Sequence, residues 1–201
     1  MIFFGVIATS LLLPQTAESQ AGTPITGWAW SDTIGWIKMS DTGYGFTVDQ
    51  PTGTVSGYAW SDNIGWVSAR ATDIASCAGG ATSKLQNGAW TGWLRAIEGG
   101  SAQSGGWDGC ISMSGAGYGV VVDTNGSFKP CNATTQSCAW EGNTDPGAAV
   151  VGWVDFSYAR YQCTPPQTGT FCEGSSSCFY DTSCLKQCNV CAYGCNVGDG
   201  Q

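Results

Sequence analysis

A tryptophan-rich segment that occurs twice constrains the fold of this chain more than any other feature. Residues 27–37 read GWAWSDTIGWI, and thirty residues further on residues 57–67 read GYAWSDNIGWV. A repeat of this fidelity predicts that the chain is built from copies of one supersecondary unit, which buries its apolar face only when neighbouring copies pack together.

Each copy has the pattern of a β-hairpin. Ser, Asp and Thr or Asn favour a tight turn, and the following glycine supplies a positive φ angle. If Ser31 pairs with Gly35, side-chain alternation places large aromatic residues on one face and small aliphatic residues on the other. The aromatic face then carries Trp28, Trp30, Trp36 and Lys38 in the first copy, and Tyr58, Trp60, Trp66 and Ser68 in the second.

Weaker copies follow along the chain. Residues 44–49 form an alternating strand after the first hairpin, and residues 117–123 match residues 43–49. Residues 88–94 are interpreted as a third hairpin with a shortened turn, while residues 137–140 and 151–157 match the two halves of a further hairpin. Three to four such units predict an all-β fold, an antiparallel meander of Trp-rich hairpins that closes as a sandwich or a barrel.

The sequence divides into three segments. Residues 1–21 begin with an apolar run and end in small polar residues, which indicates an export signal cleaved after Ala21 or, alternatively, a retained segment that docks on a neighbouring subunit. The run is too short for a stable transmembrane span. Residues 22–160 form the repeat domain, and residues 161–201, with seven cysteines and few aliphatic residues, form a small disulfide-rich module that we expect to continue beyond residue 201.

Every cysteine is a disulfide candidate in an exported chain. Cys77 and Cys110 bracket the third unit, and Cys131 and Cys138 bracket a short loop. Four thiolates near the end of the chain have spacing that zinc could also use, although disulfides are favoured there. The candidates are Cys77, Cys110, Cys131, Cys138, Cys163, Cys172, Cys178, Cys184, Cys188, Cys191 and Cys195.

Composition excludes several classes of function. The chain has no histidine, which removes Ser-His-Asp and Cys-His catalysis and any His-ligated metal site. Its 7 basic and 15 acidic residues argue against nucleic acid or an anionic membrane as partner. The acidic residues are scattered over turns, so no catalytic pair is apparent. We therefore predict a protein that is not an enzyme and uses no cofactor or metal; a secreted glycan-acting enzyme is the least favoured alternative.

The aromatic face has two interpretations. Flat rings bury the apolar face of a pyranose, which makes the face a candidate platform for sugar. The alternative, favoured here because the rings recur in register, is that they fill the core between the strands. The candidate ligand-binding residues are Trp28, Trp30, Trp36, Lys38, Tyr58, Trp60 and Trp66.

The phrase GWAWSDxIGW, followed by YGFxVD and TGxVxG, resembles a repeat of exported, largely uncharacterised surface proteins of uncultivated small-celled (candidate phyla) bacteria. The resemblance covers residues 25–69 closely and 88–158 loosely, and does not reach the cysteine-rich tail. It implies an extracellular β-repeat protein of surface or appendage type and supplies no catalytic residue.

From the residues and the resemblance together we expect an extracellular or cell-surface protein with a structural or adhesive role, including that of a filament subunit. Its expected partners are copies of itself or other surface proteins. The alternative is a carbohydrate-binding module that uses the aromatic face and takes polysaccharide as its partner.

N-terminal sequencing of the exported protein tests the role of the first segment. If residues 1–21 are a cleaved signal, the mature chain begins at Gly22. A mature chain that keeps residues 1–13 contradicts cleavage and supports the assembly segment.

Overall fold

A computed structural model describes residues 22–101, 105–141, 151–161, 169–173, 176–180 and 186–190. Residues 1–21 lie outside this range, so the choice between signal and assembly segment stays a prediction. The described chain is almost entirely β-structure, as predicted.

The strands fall into four successive groups, each opening with a hairpin, and a separate tail. The first group consists of β1 (Thr23–Ser31), β2 (Gly35–Lys38), β3 (Ser40–Asp41) and β4 (Tyr44–Val48). The second consists of β5 (Val55–Ser61), β6 (Gly65–Ser68), the short helix α1 (Ala71–Ile74) and β7 (Ser83–Gln86). The third consists of β8 (Ala89–Ala96), β9 (Cys110–Ser112), β10 (Ser114–Gly115) and β11 (Tyr118–Val121). The fourth consists of β12 (Cys138–Glu141), β13 (Trp153–Asp155) and β14 (Ala159–Tyr161). The tail forms its own antiparallel sheet of β15 (Phe171–Glu173), β16 (Ser176–Tyr180) and β17 (Lys186–Val190).

Eight strands close into an antiparallel barrel. Strand pairing runs β1–β2–β5–β6–β8–β9–β12–β13 and returns from β13 to β1. The four hairpins of this ring are the four repeat units, which we number 1 to 4 in chain order. The expected closure of three to four hairpins is therefore confirmed, with four units and a barrel.

The hairpin register is the one that the repeat predicts. Ser31 pairs with Gly35 and Trp30 with Trp36, and unit 2 repeats both pairings with Ser61 and Trp60. In each turn the serine hydroxyl accepts the backbone N–H two residues on, at 3.3 Å in both units. The glycine that closes the turn has φ of 71° in unit 1 and 70° in unit 2. The Ser-Asp-x-Ile-Gly segment is thus the turn that sets the register.

The glycine that opens each of the first three hairpins marks the point where a strand changes neighbours. Before Gly57, β5 pairs with β4, and after it β5 pairs with β2 and β6. At that point the Gly57 carbonyl accepts the N–H of Ala69 at 3.0 Å, as Gly27 does from Met39 and Gly92 from Met113, both at 2.9 Å. Because φ is positive at all three glycines and the backbone of a neighbouring strand lies against each, these positions accept only glycine.

The barrel interior is filled by the small aliphatic face of the repeat. Every unit contributes one side chain from each strand of its hairpin, and all eight are at most 2% exposed: Ala29, Ile37, Ala59, Val67, Leu94, Ile111, Ala139 and Val154. An eight-stranded barrel has room for little more than such side chains. The interpretation of the repeated aromatic face as the core is therefore wrong, because those rings lie on the outside of the wall.

Two tryptophans that are not part of the repeated face are buried. Trp90 is fully buried, with its indole Nε1 donating to Ser83 Oγ at 2.9 Å, and it packs edge-on against Phe46 and Phe156. Trp107 is also buried, in the long connection between β8 and β9. Both rings belong to the same core cluster as the small aliphatic residues of the barrel.

The interpretation of residues 88–94 as a hairpin is wrong. Residues 89–94 belong to one continuous strand, β8, and the tight turn lies at Asn87 and Gly88, where φ is 53° and 74°. The hairpin partner of β8 in the barrel is β9, which follows only after the connection 97–109. The alternation of Trp90 and Trp93 along one strand explains why one ring points inward and the other outward.

Three disulfides are described: Cys77–Cys110, Cys131–Cys138 and Cys178–Cys188. Cys172 is also disulfide-bonded, whereas Cys163, Cys184, Cys191 and Cys195 lie outside the described residues. Cys188 therefore supplies no thiolate for the zinc alternative. Disulfides persist in oxidising compartments, which places the folded chain in an oxidising, extracellular environment. No helix of the described part is long and apolar enough to cross a membrane.

Replacing Gly57 by alanine tests the close approach of strands at the hairpin entry. A Cβ at Gly57 would lie 2.0 Å from the carbonyl oxygen of Gly45, so Gly57→Ala is expected to cost about 3 kcal/mol or more in the free energy of unfolding. Gly43→Ala is the matched control, because φ is also positive there and nothing lies within 4 Å of the new Cβ. The control should cost only about 1 kcal/mol. Equal losses in urea unfolding would contradict the steric explanation.

Candidate binding site on the barrel wall

Three of the four units carry an exposed aromatic cluster on the outer face of the barrel. We name the clusters by unit: cluster 1 is Trp28, Trp30, Trp36 and Tyr158; cluster 2 is Tyr44, Tyr58, Trp60 and Trp66; cluster 4 is Tyr118, Trp140 and Trp153. The most exposed rings are Trp28 at 42%, Trp36 at 44%, Trp66 at 41%, Trp153 at 49% and Tyr158 at 56%.

The same local geometry recurs in each cluster. The tryptophan of the second hairpin strand packs on that of the first, with ring centroids 4.7 Å apart for Trp30 and Trp36 and 4.8 Å apart for Trp60 and Trp66. In unit 4 the corresponding distance, between Trp140 and Trp153, is 4.5 Å. The first two pairs are edge-to-face and the third is tilted. Aromatic pairs at such distances contribute about 0.5–1.5 kcal/mol beyond the area that they bury.

A tyrosine from a neighbouring strand or turn completes every cluster. The distance between ring centroids is 5.1 Å for Tyr158 and Trp36, 5.1 Å for Tyr44 and Trp66, and 5.3 Å for Tyr118 and Trp153. In cluster 1 the rings of Trp28, Trp36 and Tyr158 line an open groove of about 200 Å³. The clusters are thus small apolar surfaces that water reaches.

The aspartate of the repeat holds the first ring of clusters 1 and 2. The indole Nε1 of Trp30 donates to Asp32 Oδ1 at 3.0 Å, and that of Trp60 donates to Asp62 Oδ1 at 2.8 Å. This hydrogen bond explains why Trp-Ser-Asp recurs as a unit, because the turn that sets the register also fixes the orientation of the ring. The two carboxylates therefore orient aromatic rings.

Unit 3 carries no such cluster. Arg95 and Cys110 occupy the positions that the tryptophan pair has in the other units, as the pairing of Leu94 with Ile111 shows. Cys110 is bonded to Cys77, and Ile74 of α1 packs with the disulfide beside Trp93. The Arg95 guanidinium also donates to the backbone oxygen of Asp73 at 3.2 Å. Helix α1 and the disulfide therefore cover the wall where the other units expose rings.

The polar residues of the aromatic face hold neighbouring segments. Lys38 pairs with Asp41, and its Nζ lies 5.4 Å from the centroid of Trp28. The hydrogen bond between them raises the pKa of Lys38 and lowers the pKa of Asp41. Ser68 is fully buried and donates from Oγ to Asp73 Oδ2 at 2.6 Å, which ties β6 to α1.

The seven predicted ligand-binding residues are all on the outer wall, but the six aromatic ones are divided between clusters 1 and 2, and Lys38 lies beside Trp28. The pairing of Lys38 with Trp60 makes clusters 1 and 2 neighbours, and the pairing of Trp30 with Asp155 makes clusters 4 and 1 neighbours. Sequence reasoning missed the three tyrosines. Tyr44 and Tyr118 each precede a glycine in matching segments of the repeat. This recurrence could have identified both tyrosines as part of the repeated aromatic surface.

Around the barrel the clusters follow the order 4, 1, 2 and form one aromatic arc, which unit 3 interrupts. The exposed aromatic rings of this arc can bind a ligand by stacking against its flat apolar faces. Within the described part of the chain, no group of three or more Cys, Asp or Glu side chains could hold a metal ion. No protein-family model, curated protein or solved structure matches the chain.

Acid unfolding tests the link between β6 and α1. The hydrogen bond from Ser68 is the largest cause that lowers the pKa of Asp73; burial opposes it, and Thr72 and Tyr58 add smaller hydrogen bonds. A depressed folded-state pKa adds stability above the unfolded value of about 3.9, and that stability is lost as pH falls through the folded-state pKa. Asp73→Asn and Ser68→Ala should therefore lose less stability than the parent protein between pH 7 and pH 3.

The measurement is the urea midpoint at several pH values. Equal slopes with pH in the parent protein and Asp73→Asn would show that the Asp73 carboxylate does not contribute.

Proposed function

We propose that this protein is an extracellular adhesive surface protein that binds polysaccharide through the aromatic arc. The observation that carries the proposal is the outward orientation of the repeated rings in three units. A barrel with an aliphatic interior has no packing need for half-exposed indoles on its wall, and contiguous exposed apolar surface marks an interaction site.

The chemistry of the arc suits sugar. The C–H face of a pyranose stacks on an aromatic ring, while nearby carboxylates and hydroxyls bond its hydroxyl groups. The groove of cluster 1, at about 200 Å³, is smaller than a pocket for a drug-sized ligand and corresponds to one or two sugar rings. Lys38 lies beside the groove, with its Nζ 5.4 Å from the centroid of the Trp28 ring.

Charge narrows the class of polysaccharide. The net charge of −8 repels uronate-rich and phosphate-rich polymers at low ionic strength. Neutral polymers and N-acetylated polymers carry no such penalty. We therefore assign the arc to uncharged glycans.

Three clusters in one arc give the binding a multivalent character. A repeating polymer offers the same ring to each cluster, so each contact after the first is intramolecular and gains effective concentration. Weak single contacts then add up to firm attachment, which is what adhesion to a wall or matrix requires.

Removing one ring from each cluster tests the proposal. Trp36→Ala, Trp66→Ala and Trp153→Ala each delete the central, half-exposed ring of a cluster, and Ile97→Ala deletes an exposed apolar side chain outside all of them. Binding to insoluble cellulose, chitin and peptidoglycan is measured by depletion from solution. We expect each tryptophan variant to bind about 5–30-fold more weakly, corresponding to about 1–2 kcal/mol per ring, and Ile97→Ala to bind as the parent does.

Two results would contradict the proposal. One is the absence of binding to all three polymers by a folded parent protein. The other is sedimentation as a dimer or larger assembly that the same tryptophan variants dissolve, which would assign the arc to contact between copies of this chain.

A further inference from the structure

A second kind of pocket lies beside cluster 4. It has a volume of about 400 Å³ and combines the rings of Tyr118 and Trp153 with the polar side chains of Asp32, Asn132 and Gln136. We call it the loop pocket, because residues 131–138 form one of its walls. Unlike the groove of cluster 1, it presents hydrogen-bonding groups as well as aromatic surface.

The wall formed by residues 131–138 is held in place by its own bonds. The Cys131–Cys138 disulfide closes the loop at its base. Within it, Asn132 Oδ1 accepts the backbone N–H groups of Thr134 and Thr135 at 2.9 and 3.0 Å, and the N–H of Gln136 donates to the Asn132 carbonyl at 2.8 Å. A site held in this way loses little conformational freedom when a ligand binds.

Gln136 has a backbone conformation that its side chain does not favour. Its φ is +48°, and Asn87 is the one other non-glycine residue of the described chain with a positive φ. Asparagine tolerates this conformation, but glutamine has no comparable local compensation. Backbone hydrogen bonds from Gly119 and Cys138 to the Gln136 carbonyl hold this conformation. Such conformations are concentrated at functional sites, which favours a role for the Gln136 side chain.

Three polar groups of the loop pocket have no hydrogen-bond partner in the part of the chain that the structure describes. Across the described residues, no group hydrogen-bonds to the Gln136 side-chain amide, to Asn132 Nδ2 or to Asp32 Oδ2. Together they offer amide donors, an amide acceptor and a carboxylate acceptor around an aromatic surface. Vicinal hydroxyl groups, each both a donor and an acceptor, match this set.

We propose that the loop pocket binds one uncharged pyranose residue and gives the aromatic arc its selectivity among glycans. The ring of the sugar stacks on Trp153 or Tyr118, and its hydroxyls bond Gln136, Asn132 and Asp32. An anionic sugar is disfavoured, because its carboxylate would approach that of Asp32. The assignment rests on the proposed polysaccharide binding and names the residues that choose the sugar.

The Gln136→Gly variant tests whether the Gln136 side chain binds ligand or only maintains the structure. Glycine relieves the left-handed conformation, so the melting temperature should rise by about 1–4 °C while the side-chain amide is lost. Asn87→Gly is the matched control, since it makes the same change at the other positive-φ residue, away from the pocket. The readout is titration calorimetry with soluble cello-, xylo-, manno- and chito-hexaose, and with a galacturonate oligomer.

We expect the parent protein and Asn87→Gly to bind one of the neutral hexaoses with equal affinity, and Gln136→Gly to bind it at least tenfold more weakly. The galacturonate oligomer should not compete. In nitrogen-15 NMR spectra the bound hexaose should shift the amide signals of residues 132–136 and the indole signal of Trp153.

Two outcomes overturn the assignment, and they differ in what they say about the arc. In the first outcome the parent binds a hexaose, the Trp36→Ala and Trp66→Ala variants lose that binding, and Gln136→Gly keeps it. The assignment of the loop pocket as a sugar site is then wrong, whereas the proposed binding by the aromatic arc is retained. If the folded parent binds neither hexaoses nor insoluble polymers, the proposed function fails, and the loop pocket fails with it.

Discussion

The width of an eight-stranded barrel decides which face of the repeat is inside. Opposite the aromatic face, every hairpin offers residues such as Ala29 and Ile37, and four such pairs fill the interior. Eight strands leave no room for three tryptophan pairs in the same space. Once the barrel closes, the indoles can lie only on its outer wall. The tyrosines of adjacent strands and turns then pack against them.

The turn chemistry and the alternation of side chains along the strands could be predicted from the sequence. Which of the two faces of the hairpin is buried could not. The pairing of Ser31 with Gly35 follows from turn residues, and the separation of Trp30 from Ala29 follows from strand geometry. Neither says which face is buried, because a strand with two apolar faces satisfies both interpretations. That choice depends on how many strands close the sheet, which is a property of the whole chain. Cys77–Cys110 and Cys131–Cys138 were readable because each pair brackets one feature.

The missed parts of the candidate site share a physical origin. Tyr158 lies 122 residues from Trp36 in the sequence, and Asp32 lies 104 residues from Gln136, yet barrel closure brings each pair together. Unit 3 misled for a different reason. Its two hairpin strands, β8 and β9, are separated by a long connection. The short segment from Trp90 to Trp93 therefore resembled a complete hairpin in the sequence, although it lies within the single strand β8.

The covered wall of unit 3 gives the barrel a direction. Four identical clusters would make every side equivalent, and a molecule lying on a glycan surface could then roll without changing its contacts. With Ile74 and the Cys77–Cys110 disulfide over one quarter, the wall has an exposed aromatic side and a covered side. A protein bound through the arc must turn unit 3 away from the polymer, and whatever is attached to that side is presented to the surroundings in one fixed orientation.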